Sequence, residues 1–209
     1  RSNVVRPRSS SDCSAKPTSK GQMRKPPKPN ERTGGWITTY TGLRFYPLDP
    51  RREDVNIVDI AHSLSNTCRF IGHCNSFYSV AQHSVLVSHA CDRKDALWGL
   101  LHDASEAYVC DIPPQIKKSP ELAAYGRIER AVLDCVCSRF GLRRLEPPSV
   151  KSADRRMFAT EARDMTVLKG RQVTTGAEPF DFTIVPWDPE TAFIRYIARF
   201  NELTGGKLA

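Results

Sequence analysis

His102 and Asp103 are adjacent, and Glu106 follows them at i+4 and i+3. On a helix those spacings set the three side chains on neighbouring parts of one face. His83 lies one turn into the preceding predicted helix, and Asp154 near the start of a later one. Two imidazoles and two carboxylates can bind one divalent transition metal. Imidazole suits Zn, Fe, Co or Ni, and carboxylate oxygen adds Mn. A bound metal lowers the pKa of water from about 16 toward 7, which makes a nucleophile available at neutral pH. Glu106 is placed to orient that water or move its proton. His62, His73 and His89 are expected to be structural or surface residues. His89 is rotated off the His83 face by about two-thirds of a turn.

The elements that must position these groups are mostly helical. Trp36–Tyr40 and Leu43–Tyr46 are rich in β-formers around Thr41-Gly42 and predict a short hairpin. Ile57, Ile60, Ala61 and Leu64 mark one face of a first helix. Ser79 and Gln82 have the spacing of a capping box for a second helix running to about Ala90. Ala96, Leu97, Leu100, Leu101, Ala104, Ala107 and Tyr108 form one continuous apolar stripe, and Pro113-Pro114 ends it. A fourth helix is expected over 121–140, stopped by Gly141. A fifth opens at Ser149 or Ser152 and runs to about Leu168. Residues 180–185 read as extended, and Asp188-Pro189 starts a last helix. The expected fold class is mostly α, a helical bundle with a short N-terminal β-hairpin.

The formal net charge of the 209 residues is +8, but it is unevenly placed. Residues 1–35 hold nine of the 31 Lys and Arg and two of the 23 Asp and Glu, so the other 174 residues are near neutrality. That first segment has five prolines, no aromatic residue, and only Val4, Val5 and Met23 as sizeable apolar side chains. Too little surface is there to offset ordering entropy, so residues 1–35 are expected to be a disordered basic tail and 36–209 the folded domain. A nucleic-acid role is expected only through that tail. No apolar run approaches the roughly 18 residues a membrane span requires. Seven cysteines, an odd and sparse set, suit reduced thiols in the cytoplasm. Cys135 and Cys137 read as two helix positions.

The segments Phe77–Ser84 and Leu100–Ala107, then Ile112-Pro113 and Lys117, together resemble the HD-domain metal-dependent phosphohydrolases. More narrowly, the chain is similar to the 5′-deoxynucleotidase-like branch, which includes phage dATP triphosphohydrolases. The resemblance covers about Trp36 to Leu203 and leaves out residues 1–35. It implies metal ligands at His83, His102, Asp103 and Asp154, with Asp154 preferred over the rivals Asp134 and Asp164. It implies catalytic carboxylates at Glu106 and Asp111, and substrate contacts at Arg69, Lys117, Phe70 and Trp36. Phe70 stands where some nucleotidases have Trp. An Arg can grip two phosphate oxygens at once, and Lys117 adds a further cation that suits a longer phosphate chain.

The expected function is metal-dependent hydrolysis of deoxynucleoside 5′-phosphates, as a nucleotidase or a dNTP triphosphohydrolase, by a cytoplasmic homo-oligomer. One divalent transition metal, such as Co, Mn or Zn, is the expected cofactor. The alternative is a noncatalytic nucleotide-binding regulator, against which the intact His83, His102, Asp103 and Glu106 argue. An HD-fold oxygenase would need more ligands, and no histidine lies between Glu106 and Asp154.

Overall fold

A computed structural model describes residues 31–167 and 176–206. The expectation of a disordered tail falls on residues 1–30, outside the described residues, as do Cys13 and the predicted helix end at Leu168. A compact unit runs from Arg32 onward. The Arg32 guanidinium donates to the Asp49 carbonyl at 3.0 Å and pairs with Asp54.

Strands β1 (Ile37–Thr38) and β2 (Arg44–Phe45) pair antiparallel with Ile37 opposite Phe45. Gly42, at φ 85°, makes the turn between them. Phe45 is fully buried and stacks on Tyr108, so the hairpin is pinned by one ring. Helix α1 (Ile57–Asn66) buries Ile57, Ile60, Ala61 and Leu64, and Asn56 caps it by accepting from the Val58 amide at 2.9 Å. Helix α2 (Val80–Ala90) is buried along most of its length. Ser79 Oγ accepts from the Gln82 amide at 3.1 Å, as the capping box requires. Its reciprocal half is absent. The Gln82 side chain instead donates to the Val185 carbonyl at 2.8 Å and accepts from the Trp187 amide at 2.8 Å. That clamp holds residues 180–185, which form no strand.

The predicted third helix is broken. Helix α3 (Ala96–Leu101) ends at His102, and α4 (Glu106–Val109) resumes after a turn. In the turn the amides bond three residues back, Ala104 to Leu101 and Glu106 to Asp103, both at 3.0 Å. Helix α5 (Pro114–Lys117) is a single turn. Helix α6 (Ala123–Phe140) carries Cys135 and Cys137 and stops at Gly141 in the left-handed region, as expected. Helix α7 (Pro148–Met165) starts ahead of the predicted serine caps because Pro148 takes the first helical position. Ser149 falls in its first turn and donates to Asp95 at 2.6 Å instead of capping. Helix α8 (Pro189–Thr204) follows the predicted signals, with Asp188 accepting from the Thr191 amide at 2.8 Å.

The architecture is a mostly helical bundle with a short antiparallel hairpin. Helix α2 is its axis and packs on α1, α3, α7 and α8. Gly99 explains how closely α3 approaches. A Cβ there would sit 2.8 Å from Cys91 Sγ and 3.2 Å from the Ser88 Cα. Tyr196 on α8 is fully buried and donates to the Leu100 carbonyl at 2.8 Å, which braces the end of α3. All six described cysteines are free thiols. Among the described residues no helix is long and apolar enough to cross a membrane.

Candidate metal centre

Three elements converge on one point. Helix α2 supplies His83, the α3–α4 turn supplies His102 and Asp103, and α7 supplies Asp154. His83, His102 and Asp103 can hold a metal ion: one ligand atom from each lies within 4.8 Å of the others. Asp103 Oδ2 is 3.3 Å from His102 Nε2 and 3.6 Å from His83 Nε2. Asp154 Oδ1 joins them, 3.2 Å from His83 Nε2 and 3.8 Å from His102 Nε2. The two sequence rivals are engaged elsewhere, Asp134 with Arg144 at 3.9 Å and Asp164 with Arg163 at 2.7 Å.

The imidazole orientations are the most informative feature. His102 Nδ1 lies 2.8 Å from the Gly99 carbonyl, which can only accept, so Nδ1 is the protonated nitrogen. His83 Nδ1 lies 2.5 Å from Glu161 Oε1 and donates to that carboxylate. With both Nδ1 atoms donating, both Nε2 atoms point inward, and they face each other at 3.2 Å. At most one proton fits between them. This is how metal-ligating histidines are set, each with its far nitrogen fixed by a carbonyl or carboxylate. The donor set of two imidazole nitrogens and the Asp103 carboxylate could hold a metal ion, with Asp154 alongside it.

The electrostatics agree. Burial alone would lower the pKa of His102, but Asp103 beside it outweighs burial and carries it up to about 10. Burial also opposes the His83 cation, and so does Arg69; Glu161 and Asp154 tip it upward. Burial would raise Asp103, yet His102, His83 and Arg69 hold it far below the usual carboxylate range. Asp103, Asp154 and Glu161 are thus held ionised around the two imidazoles.

Glu106 lies beside this cluster. It is buried, and its Oε2 has no hydrogen-bond partner among the described residues. Burial, then Asp103 and Asp111, push its carboxyl well above the ordinary value; Arg69 and Lys117 pull it back. It is thus poised to carry a proton. Asp111 and Lys117 act on Glu106 through their charge. Lys117 is partly committed, with Nζ 2.6 Å from Glu129 Oε1.

Arg69 precedes two consecutive left-handed residues, Phe70 and Ile71, both at φ 53°. That conformation costs about 1–2 kcal/mol at each non-glycine residue. Arg69 Nη2 pairs with Glu161 Oε2 at 2.9 Å and Nη1 lies 3.5 Å from Asp103 Oδ2. The Phe70 ring stacks on Phe158, one turn beyond Asp154, at 5.5 Å. Trp36 is placed differently. It stands half exposed on the hairpin, its ring 6.1 Å from Tyr46 and under the Arg44 guanidinium. None of its ring contacts is with a residue of the cluster. Two of the three histidines set aside on sequence have partners or rotation that explain them. His62 stacks on Tyr40, and His89 faces a groove with Trp187 and Arg195.

Glu161 is the residue that sequence reasoning missed. It is fully buried and accepts from Arg69, from the Tyr78 hydroxyl at 2.9 Å and from His83. The signal was present. Ala153, Met157, Glu161 and Met165 recur at every fourth position, so one carboxylate stands on an apolar stripe.

No family model matches the chain. It is 40% identical over 172 residues to the uncharacterized protein YfdR of Escherichia coli (strain K12), covering 81% of this chain and 96% of that one. It is 32% identical over 137 residues to the uncharacterized protein RCAP_rcc00048 of Rhodobacter capsulatus, covering 61% of this chain and 69% of that one.

Proposed function

Because the chain belongs to the family of YfdR and gathers a His83–His102–Asp103 group able to hold a metal, we propose a function for this site. It is divalent-metal-dependent hydrolysis of deoxynucleoside 5′-phosphates, in the manner of the HD-domain phosphohydrolases that the motifs resemble. The observation that carries this reading is the pair of inward-facing Nε2 atoms 3.2 Å apart, each imidazole fixed from behind. His83, His102, Asp103 and Asp154 would hold the metal. When bound, it supplies a Lewis acid for water and a phosphoryl oxygen.

The chain's own residues supply the rest. Arg69 presents a guanidinium to the phosphate oxygens while Glu161 holds its other side. Lys117 adds positive charge on the Glu106 side as negative charge develops at phosphorus. Glu106 takes a proton from the attacking water or returns one to the leaving oxygen, with Asp111 raising its proton affinity. The buried Tyr78, His83 and Glu161 keep bulk water from the inner wall. Phe70 offers an apolar face for sugar or base.

The deciding assay is turnover of deoxynucleoside mono- and triphosphates with Mn, Co, Zn and Mg, scoring phosphate and triphosphate release. Metal-dependent release that disappears in Asp103→Ala is the expected result, and the product names the branch. Tight nucleotide binding with no turnover under any metal would replace this reading with the regulatory one.

A further inference from the structure

Glu161 touches both halves of the candidate site at once. Oε1 accepts from His83 Nδ1 at 2.5 Å and from the Tyr78 hydroxyl at 2.9 Å. Oε2 accepts from Arg69 Nη2 at 2.9 Å. The carboxylate is fully buried and comes from α7, two turns beyond Asp154, so its position is set by a long helix and not by a loop. Arg69, by contrast, sits in the strained Phe70–Ile71 turn, and Glu161 is its anchor in the core. Nη1 and Nε are differently placed. Nη1 is 3.5 Å from Asp103 Oδ2, and Nε is buried without a partner among the described residues.

We propose that Glu161 is a positioning residue that couples cation binding at His83 and Asp103 to anion binding at Arg69, so that each strengthens the other. The inference rests on the reading of His83 and Asp103 as metal ligands and of Arg69 as a phosphate contact. A cation at Asp103 competes with Arg69 Nη1 for the same carboxylate charge. The guanidinium stays attached to Glu161 through Nη2, and its Nη1 hydrogens become available to an anion. Glu161 meanwhile keeps the His83 proton on Nδ1, which leaves Nε2 free to ligate. Linkage makes the effect reciprocal: the factor by which the cation tightens the anion equals the factor by which the anion tightens the cation.

The test is calorimetry on the full chain with Mn²⁺ and inorganic phosphate. Mn²⁺ is titrated with and without phosphate, and phosphate with and without Mn²⁺. The two factors should agree and be on the order of tenfold. Glu161→Gln keeps the shape but loses the charge. It should weaken Mn²⁺ binding by roughly tenfold to a hundredfold and bring the coupling factor near one. A factor of one in the wild type overturns the proposal, as does a Gln variant within about twofold of wild type in both quantities. If Glu161→Gln does not fold, Glu161→Asp, one methylene short, must lower the factor at least threefold, and an unchanged factor overturns the proposal equally. Nucleotide turnover with no coupling removes this inference and leaves the phosphohydrolase reading. Coupling that is lost in Glu161→Gln, without turnover of any nucleotide, supports the inference and removes that reading.

Discussion

His102 is the residue where protonation and metal binding compete most directly. Its imidazole takes up a proton readily because Asp103 lies 3.3 Å away, and its pKa stands at about 10. A metal ligand must be neutral at Nε2. At neutral pH the proton therefore has to be displaced, and the displacement becomes easier as pH rises. Mn²⁺ affinity should increase between pH 6 and 8, by up to about tenfold per pH unit for each proton released. Titrations in buffers of different ionisation enthalpy will count those protons. A pH-independent affinity with no proton release would exclude His102 as a ligand. Glu106 makes a separate prediction. Its unpartnered Oε2 and raised pKa place a proton-carrying group beside the cluster without making it a ligand. Glu106→Gln should reduce kcat by about 10²–10⁴-fold while Mn²⁺ binding stays near wild type. Loss of metal affinity instead would make Glu106 part of the coordination sphere.

At the scale of elements, the site depends on how near α3 lies to α2. Ser88, Cys91 and Gly99 set that distance. An added methyl at Gly99 meets the Ser88 backbone at 3.2 Å, where no rotamer change can relieve the contact. The same residue's carbonyl holds His102 Nδ1. Gly99→Ala should therefore destabilise the fold by about 1–3 kcal/mol and also weaken Mn²⁺ binding. Denaturant melts in apo and Mn²⁺-loaded protein separate the two effects. The break between α3 and α4 belongs to this scale too. Its three-residue hydrogen bonds turn His102 and Asp103 together toward α2, and Glu106 begins the next helical segment. Apolar periodicity cannot reveal such a break, because a tightened turn keeps the buried stripe nearly intact. The Ser79 cap was legible as a local signal. The Gln82 clamp on Val185 and Trp187 was not, since its partners lie more than a hundred residues away.

At the scale of the molecule, the ligand candidates come from three separate helical elements, so the site exists only in the folded chain. A metal that binds there stabilises the native state by mass action. At a free concentration about 100 times Kd the gain is about 2.7 kcal/mol, a rise in Tm of roughly 5–10 °C for a domain of this size. Melting with and without Mn²⁺ should show that rise, chelation should reverse it, and Asp103→Ala should abolish it. An equal rise in Asp103→Ala would place the bound ion elsewhere.

Much of this organisation could be read from residue order alone. The apolar face of α1, the Gly141 stop of α6, the Asp188 cap of α8 and the hairpin follow from signals a few residues apart. The residue types of the His102-Asp103-Glu106 constellation were legible as well, but the continuous helix expected to hold them is broken into α3, a turn and α4. Asp154 was proposed on resemblance and not on spacing, and the structure places it 3.2 Å from His83. Other features were decided by packing. Glu161 behind His83, the left-handed turn after Arg69, the inward Nε2 pair and the close approach at Gly99 each require partners remote in sequence. Local spacing says which side chains can share a face. Which buried carboxylate fixes an imidazole's tautomer is settled only when helices from distant segments close on one another and leave each polar atom a single partner.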